Sequence, residues 1–469
     1  MPPLGLITVS AMLPSTWQKK LVDMNISTLR ISDIHWADYV FISAMYIKKE
    51  SVNKVIAECK KLNKKIVGGG PLFTQEYRNY PQIDHFILNE AEITMPLFLK
   101  DLSAGQPQNL YMTSEYADIS QTPVPDFHLL SIKDYAFMNI QVSRGCPFAC
   151  NFCEITSLFG HKVRMKDTTQ IINELEVLFH KIRWRGPVSI VDDNFIGNKS
   201  AIKNNLLPAL KKWMQLHKYP FTFNIETSIN LADDEELMSL LVETGFSSTF
   251  IGIETPEEKS LHYCNKVQNK SRDLLQSVKK IQKAGLFVSG GFIVGFDSDT
   301  SNVFQRQIDF IQQSGIVSAM VGLLNAPKNT KLYEQLKSEN RLTTEATGNN
   351  TDYSMNFIPK MNQSELLKGY KKIIHNIYAT KPYYKRIRQL LLNYNRVNYR
   401  QTKINFSLLS AFFKSVFIIG FLNKGRSEYW KLIIWTLFNR PGSIVDAITY
   451  TVYGYHYQTV YGLRNKKPL

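Results

Sequence analysis

Three closely spaced cysteines are the residues of this sequence whose types and spacing most clearly indicate chemistry. Cys146, Cys150 and Cys153 fall within the eight-residue stretch Cys-Pro-Phe-Ala-Cys-Asn-Phe-Cys. Cysteine thiolates are the usual ligands of iron–sulfur clusters, and three of them on a short loop leave one iron without a protein ligand. Because an open iron can bind a substrate or a cofactor, the spacing predicts a reactive iron–sulfur centre.

A zinc site, or unrelated buried thiols, are the alternative interpretations of these cysteines. A structural zinc site needs a fourth donor with paired spacing, and the nearest candidate is His161. Cys264 is interpreted as a buried or incidental thiol. The odd, clustered set of five cysteines argues against a secreted disulfide framework and favours a reducing compartment.

The elements that must position this loop follow from the alternation of apolar and amphipathic stretches after residue 138. Apolar runs predict six parallel strands, and amphipathic stretches between them predict helices. Six such repeats form a partial (β/α)6 barrel, in which chemistry gathers at the carboxyl ends of the strands. The predicted strands are 139–143, 187–192, 221–226, 249–254, 288–294 and 317–323.

The first hundred residues show the pattern of a separate doubly wound, Rossmann-like α/β domain. Short apolar runs at 38–43, 65–70 and 84–88 predict buried parallel strands, with a helix at 50–62 between the first two. The turn formed by Gly68, Gly69 and Gly70 lies at the carboxyl end of a strand, where such sheets bind ligands.

Four segments follow from these patterns and from the composition of the rest of the chain. We expect an α/β domain over 1–105, a linker over 106–137, the barrel over 138–345 and a mainly helical, basic and aromatic-rich region over 346–469. Residues 407–422 carry one charge, Lys414, and are too short to span a bilayer comfortably. They are either a buried core helix or an interfacial membrane helix.

The cysteine spacing, with Phe152 before the last cysteine and a predicted first barrel strand before the loop, resembles the signature of the radical S-adenosylmethionine (SAM) superfamily. This resemblance implies a [4Fe-4S] cluster whose open iron is chelated by the amino and carboxylate groups of SAM. It also implies reductive cleavage of SAM to methionine and a 5′-deoxyadenosyl radical that abstracts hydrogen.

The resemblance also implies roles for residues at the ends of the later strands. Asp192 and Asp193 would orient SAM or the substrate, although either aspartate could instead cap a helix. Glu226 and Glu254 would accept hydrogen bonds from SAM, with a solvated surface role as the alternative for Glu226. Gly290 and Gly291 would let the backbone approach the adenine, with a strand bulge as the alternative.

Residues 1–105 resemble the cobalamin-binding domain that precedes the barrel in one radical SAM subgroup, the subgroup of hopanoid C-2 methylases and related lipid-modifying enzymes. Gly68, Gly69, Gly70 and the Glu-containing segment 88–92 carry the resemblance. Such domains normally have a strand upstream of Pro2-Pro3-Leu4-Gly5-Leu6, and this sequence lacks it. Asp33-Ile34-His35 offers one imidazole as a candidate cobalt ligand, with an exposed helix-to-strand loop as the alternative. Otherwise cobalamin binds without a protein imidazole, or the domain is a vestigial scaffold.

The net charge of +16 is concentrated near the end of the chain, where residues 361–469 hold 18 lysines and arginines against three acidic residues. This asymmetry indicates an anionic partner, either a membrane surface or nucleic acid. No appended RNA-binding module is evident, so we rank nucleic acid below a lipid. No secretion signal opens the chain, and we expect a cytoplasmic protein, with peripheral association at the inner face of the membrane left open.

These features together predict a radical SAM enzyme that modifies an unactivated carbon, by methylation if cobalamin is retained. The substrate is expected to be a small molecule or a lipid, and a reductant protein of the flavodoxin or ferredoxin type is the expected electron donor. Cobalamin-independent radical chemistry, such as rearrangement, coupling or desaturation, is the alternative within the class. A non-catalytic iron–sulfur or nucleic-acid-binding protein is the alternative outside it.

Overall fold

The computed structural model describes residues 1–349, 352–395 and 406–463, with the side chains of 406–409 and 411 left out. The chain divides into two compact units. The first unit comprises Met1–Pro147, Glu154–Gly197 and Thr347–Asn349, and the second comprises Phe148–Cys153, Asn198–Ala346 and Asn350–Leu469. Each unit is described separately below.

The strands are named in chain order as β1 (Tyr39–Ser43), β2 (Lys65–Gly69), β3 (His85–Ile87), β4 (Leu110–Tyr111), β5 (Met138–Ile140), β6 (Ser143–Arg144), β7 (Arg164–Met165), β8 (Pro187–Ile190), β9 (Thr222–Thr227), β10 (Phe246–Glu254), β11 (Phe287–Val294) and β12 (Ala319–Leu323).

The α-helices are α1 (Leu4–Met12), α2 (Ile31–Trp36), α3 (Lys49–Lys61), α4 (Pro71–Glu76), α5 (Ala91–Ser103), α6 (Ile155–Phe159), α7 (Thr168–Glu176), α8 (Lys199–Ala201), α9 (Leu207–Leu216), α10 (Glu235–Thr244), α11 (Glu258–Tyr263), α12 (Leu274–Ala284), α13 (Val303–Ser314), α14 (Lys331–Ser338), α15 (Gln363–Tyr378), α16 (Thr380–Asn393), α17 (Phe406–Ser415), α18 (Arg426–Asn439) and α19 (Ile444–Val460). π-Helical turns extend α7, α8 and α17 over Val177–Lys181, Ile202–Leu206 and Val416–Leu422.

The first unit contains a four-stranded parallel sheet in the order β1-β2-β3-β4. Its central strands are apolar on both faces because helices cover the sheet, as is usual for parallel sheets. Phe73 and Phe86 are fully or almost fully buried in the core on one face, and Phe98 is fully buried in the core on the other. The expected linker contains β4, which pairs with β3.

The rest of the first unit places two further strand pairs around the start of the cysteine loop. Strands β5 and β8 pair in parallel, with Ile140 opposite Ile190. Strands β6 and β7 form a short antiparallel pair in which Arg144 faces Arg164. The residues immediately before the cysteines are therefore held by a hydrogen-bonded ladder.

The second unit contains the parallel array β9-β10-β11-β12 with helices between the strands. The helices have clear start and stop signals: Asp234 and Asp273 cap α10 and α12 through side-chain bonds, and Gly245 and Gly285 end them in the left-handed conformation. A register shift between Gly252 and Glu254 marks a bulge at the carboxyl end of β10. Bulges of this kind redirect side chains at sheet ends.

The carboxyl-terminal helices pack on β12 through buried tyrosines. The hydroxyl of Tyr370 donates to the carbonyl of Val321, and that of Tyr378 donates to the carbonyl of Ala319. Tyr457 shares a hydrogen bond with Ser318. Through these contacts, α15 and α19 cover β12, the edge strand of the array.

The predicted fold class is confirmed: parallel α/β sheets are followed by a helical carboxyl-terminal region, and all six strands predicted after residue 138 are present. A fully buried core helix over 407–422 is not what forms. Phe413, Phe417 and Phe421 are exposed, while Ile419 and Gly420 are buried, so the described part of this segment has one packed face and one open apolar face.

Candidate active site

The half of the cysteine loop that belongs to the second unit is anchored by backbone contacts on both sides of Asn151. The Asn151 amide donates to the carbonyl of Cys264 at 2.9 Å, and the Leu332 amide donates to the Asn151 carbonyl at 2.9 Å. The Asn265 side chain donates to the carbonyl of Ala149 at 2.9 Å. This half of the loop is therefore held by Cys264 and Asn265, in the segment between α11 and α12, and by Leu332 of α14.

The three cysteines of the loop are present as thiols. None of Cys146, Cys150 and Cys153 is in a disulfide, and all three are partly exposed. The Cys153 amide donates to the Cys150 carbonyl at 3.2 Å, and the Gln268 amide nitrogen lies 3.8 Å from the Cys150 sulfur. Burial raises the pKa of the Cys150 thiol, while the ammonium of Lys266 opposes that shift.

A buried ion pair lies beside this half of the loop. The Lys266 ammonium donates to the Glu254 carboxylate at 2.7 Å, with side chains only 12% and 8% exposed. Burial alone would lower the pKa of Lys266, but Glu254 and the thiols of Cys150 and Cys153 raise it, so the lysine stays charged. The ring of Phe152 lies 6.0 Å from the ammonium and packs edge-on against Phe296.

The space for this pair is provided by Gly252. A Cβ at this position would lie 2.8 Å from the Lys266 nitrogen and would also collide with the Glu254 carboxylate. Glu254 has a positive φ of 64°, which is strained for a residue with a side chain. Asn269 holds this turn by donating to the carbonyls of Gly252 and Ile253.

The other residues predicted to bind SAM in the second unit lie on β9 and β11, outside the turn that holds the Lys266–Glu254 pair. Glu226 is exposed on β9. Gly290 and Gly291 lie on β11, where Cβ atoms would approach the rings of Phe292 and Phe250 within 2.8 and 2.9 Å. Gly291 is opposite Gly252 in the strand register, so one of the two glycines adjoins the ion-pair turn.

In the first unit, Asp192 holds the backbone that leads into the cysteines. Its carboxylate accepts from the Val142 amide and from the Ser143 hydroxyl, both at 2.7 Å. Burial raises the pKa of Asp192 to about 6, and these two bonds oppose the shift. Asp192 is thus a positioning residue for the start of the loop, and neither aspartate serves as the side-chain cap of a described α-helix.

Asp193 contacts the loop one residue before the first cysteine. Its carboxylate accepts from the Gly145 amide at 3.2 Å. Gly145 has φ +95°, and a Cβ there would lie 2.8 Å from the carbonyl oxygen of Lys162, so only glycine fits this turn. Burial raises the pKa of Asp193, with the charge of Arg144 opposing it.

Two arginine–carboxylate pairs connect the two strand systems of the first unit. Arg144 makes a two-pronged contact with Glu92 at 2.7 and 3.0 Å. Arg164 does the same with Glu90 at 2.5 and 2.7 Å. Bidentate pairs of this kind fix orientation as well as charge. Segment 88–92 is therefore tied to the strands that flank the first cysteine.

The glycine turn after β2 opens onto a cavity of about 280 Å³ within the first unit. A Cβ at Gly69 would lie 2.9 Å from the Ile87 carbonyl, and a Cβ at Gly70 would lie 2.5 Å from the Ser43 hydroxyl. Gly68, by contrast, faces the packed side chains of Ile83 and Phe73. An adjoining cavity of about 1090 Å³ shares Ser43 and Phe41 with the first.

The donor sets suit the cofactors that the sequence predicts. Three thiols without a disulfide match a [4Fe-4S] cluster with one open iron. The buried Lys266–Glu254 pair offers a cation and a carboxylate for the polar groups of SAM. Gly69 and Gly70 leave an edge without side chains of their own, which suits close approach of a large cofactor such as cobalamin. His35, the candidate imidazole, is exposed and lines neither cavity.

Several residues of this site escape the sequence patterns. Lys266 has only a weak signal in the sequence, and the arginines at 144 and 164 have no periodic signal. Their partners lie 12, 52 and 74 positions away along the chain, so only the folded structure pairs them. A sequence clue for Lys266 does exist in the polar run Asn265-Lys266-Val267-Gln268-Asn269, which follows Cys264.

Comparison with protein families agrees with this arrangement. The profile of the Radical SAM superfamily matches residues 140–311, and a domain of unknown function, DUF4070, matches residues 330–467. An uncharacterized methyltransferase of Synechocystis sp. is 38% identical over 97% of this chain and 86% of its own length. The hopanoid C-2 methylase of Rhodopseudomonas palustris is 32% identical over 81% of this chain and 75% of its own length.

Solved structures show the same fold at lower identity. The cobalamin-dependent SAM radical enzyme OxsB with aqua-cobalamin bound is 14% identical, with a TM-score of 0.59 over 93% of this chain and 75% of that chain. The radical SAM methyltransferase TsrM of Kitasatospora setae, with cobalamin and a [4Fe-4S] cluster bound, is 13% identical, with a TM-score of 0.57 over 86% and 89%. The sequence matches therefore place the chain among the radical SAM enzymes, in the family that includes the hopanoid C-2 methylase, and it is an enzyme of the methyltransferase type.

Proposed function

We propose that this enzyme methylates an unactivated carbon of a nonpolar, lipid-type small molecule. The observation that carries the proposal is the cysteine loop anchored beside the buried Lys266–Glu254 pair, in a chain 32% identical to a hopanoid C-2 methylase. When bound, the cluster and SAM supply the radical that activates such a carbon. Enzymes of this superfamily require a reductant and a small-molecule substrate, and we propose a flavodoxin or ferredoxin as the reductant.

The chain's own residues would bind and orient these groups. Cys146, Cys150 and Cys153 would hold the cluster, with Asp192 and Asp193 fixing the backbone before the first cysteine. Lys266 would face the carboxylate of SAM and Glu254 its amino or ribose groups, because the two charges lie together beside the loop. The packed rings of Phe152 and Phe296 would help to exclude water.

Cobalamin is proposed as the cofactor that carries the methyl group. The first unit supports this proposal because Gly69 and Gly70 leave no side chain at the cavity edge, and the segment beyond β3 is fixed by Arg144 and Arg164. A direct test is anaerobic purification in the presence of hydroxocobalamin, followed by the visible absorption of the desalted protein. We expect retained corrinoid absorption, and its loss in Gly70→Val. Gly105→Val is the control for backbone strain alone, because Gly105 also has a positive φ but has open space around it.

The lipid-type substrate and peripheral membrane association are proposed from the carboxyl-terminal region. Among the residues that the structure describes, no helix is long and apolar enough to cross a membrane. The described carboxyl-terminal helices nevertheless expose several large apolar side chains beside lysines and arginines. A hydrophobic substrate would be reached most readily by an enzyme that touches a lipid surface.

The experiment for methyl transfer uses the reconstituted holoenzyme with SAM whose methyl group is deuterated. Incubation with a lipid extract and a reductant should yield a lipid carrying the deuterated methyl group, detected by mass spectrometry. The Cys150→Ala variant should yield none. SAM cleavage without any methylated product in lipid or aqueous fractions would favour cobalamin-independent radical chemistry instead.

A further inference from the structure

The last three described helices expose several large apolar side chains. Phe413 is 60% exposed, Phe417 59% and Phe438 85%. The same region exposes further apolar residues on α17, its π-helical extension, α18 and α19, namely Phe412, Phe421, Leu422, Ile434, Leu437, Val445, Val452 and Tyr453. We name this set, with the three phenylalanines above, the aromatic face. Soluble surfaces rarely group so many large apolar side chains without an interaction partner.

The opposite sides of these helices are already packed. Ile419 and Gly420 are buried, and a Cβ at Gly420 would contact the rings of Tyr429 and Trp430. Leu432 is fully buried on α18, and Ala447 is fully buried on α19. Apart from the edge contact of Phe421 with Trp430, the helices pack through these buried residues, and the exposed parts of the aromatic face remain available to a partner.

The spacing of the phenylalanines places them along one stripe of the helix. Phe413, Phe417 and Phe421 recur every four residues, which puts them on one side of a helical segment. Phe421 also lies 5.6 Å, ring to ring, from Trp430 of α18, whose indole donates to the Gly420 carbonyl. The indole N–H therefore has its hydrogen-bond partner within the protein. The row of aromatic rings continues from the π-helical turn to α18 through the contact between Phe421 and Trp430.

The charges in this region are mostly positive. Residues 406–463 contain five lysines and arginines but two acidic residues, Glu428 and Asp446. Glu428 is paired with Lys431 at 2.8 Å. Lys414, Lys424 and Arg426 are exposed. Long basic side chains can keep their charge in the headgroup layer while their methylene stems cover apolar surface.

We infer that the aromatic face is a docking surface for an anionic lipid bilayer, an inference that rests on the proposed function and specifies its membrane partner. Apolar insertion and attraction to anionic headgroups are the two signals that together hold a peripheral protein on a membrane. A protein partner of ordinary composition would bring no matching excess of negative charge, whereas an anionic leaflet does. The phenylalanines enter the interface, and the lysines and arginine stay at headgroup level.

The test is vesicle flotation of the reconstituted full-length enzyme. Vesicles of phosphatidylcholine alone are compared with an equal mixture of phosphatidylcholine and phosphatidylglycerol. We expect binding to the mixed vesicles, weaker binding to the neutral ones and release by high salt. Phe413→Ser/Phe417→Ser/Phe421→Ser should lower the partition coefficient by roughly tenfold or more, and Lys414→Gln/Lys424→Gln should do so only on mixed vesicles.

Leu216→Ser/Ile358→Ser is the matched control, because both side chains are exposed apolar residues of the same unit outside the aromatic face. It should float like the wild type. Equal flotation of the triple phenylalanine variant, or no flotation of the wild type, would overturn the inference. A dimer abolished by the triple variant, without vesicle binding, would assign the face to a second copy instead. Production of 5′-deoxyadenosine from SAM, measured without vesicles, should be unchanged in all variants and reports separately on the proposed function.

Discussion

Replacing Lys266 by methionine should destabilise the second unit strongly. The substitution removes the ammonium but keeps an unbranched side chain in place, so the Glu254 carboxylate, 8% exposed, loses its ion-pair partner. Leaving one partner of a buried ion pair uncompensated typically costs about 3–5 kcal/mol. In a unit of this size about 1 kcal/mol shifts the melting temperature by roughly 2–4 °C, so we expect a fall on the order of 10 °C.

A double-variant cycle separates the ion pair from simple packing loss. Glu254→Gln removes the unpaired charge, so Lys266→Met/Glu254→Gln should recover more than half of the stability lost in Lys266→Met. The assay is thermal unfolding of the metal-free protein by circular dichroism, with Lys270→Met as the control for a lysine in the same loop. A Lys266→Met protein that melts with the wild type, or a double variant no more stable than the single one, would refute the reasoning.

Three further substitutions test other contacts of the site. Burial raises the pKa of Asp192 to about 6 from 3.8, so its contribution to stability is fully present below pH 3.8 and is lost as pH rises through about 6. Asp192→Asn should reduce that loss by about 3 kcal/mol at most in urea unfolding across this range. Asp193, Glu174 and Asp299, whose pKa values are raised in the same direction, leave a residual slope, and a slope equal to that of the wild type would contradict the assignment. Gly252→Ala should disrupt the Lys266–Glu254 turn and lower the iron content after reconstitution, while Gly442→Ala, which has open space around it, should not; equal iron contents would argue against the crowding. Glu92→Gln should destabilise the first unit by about 2 kcal/mol at neutral pH, because Arg144 loses its two-pronged contact with Glu92 and keeps only the 3.5 Å ion pair with Glu90. The exposed Glu115→Gln should have little effect in the same unfolding assay.

The sequence is most informative where local pattern determines structure. The six strands after residue 138 are marked by apolar runs, and α10 and α12 by an aspartate before the helix and a glycine after it. The cysteine spacing predicts the cluster ligands without knowledge of any contact. These features depend on residues near one another along the chain, so they can be recognised from the sequence without a structure.

The contacts that shape the site depend on residues far apart in the sequence. Arg144 and Glu92 are 52 positions apart, and their pairing follows from the packing of two strand systems rather than from any local pattern. The bulge after Gly252 and the positive φ of Glu254 arise from the turn that holds Lys266, so strand alternation could not reveal them. Asp192 is a second example. It positions the backbone before the cysteines by accepting one amide and one hydroxyl hydrogen bond, and both donors lie about fifty residues earlier in the chain.

The helix over 407–422 shows why composition alone left two interpretations open. An apolar run with a single lysine is compatible with burial inside a core or with exposure at a lipid surface. The structure separates the two because the buried side of the segment, at Ile419 and Gly420, is already filled by α18. The exposed phenylalanines then require an explanation outside the folded chain.

The central claim is that Cys146, Cys150 and Cys153 hold a cluster that cleaves SAM reductively, and 5′-deoxyadenosine formation tests it most directly. The protein is reconstituted anaerobically with iron and sulfide, reduced in the presence of SAM, and compared with Cys150→Ala and with Cys59→Ala, a buried cysteine of the first unit. We predict deoxyadenosine from the wild type and from Cys59→Ala, and none from Cys150→Ala. A reduced, fully reconstituted wild-type cluster that forms no deoxyadenosine, with or without lipid extract, would contradict the claim.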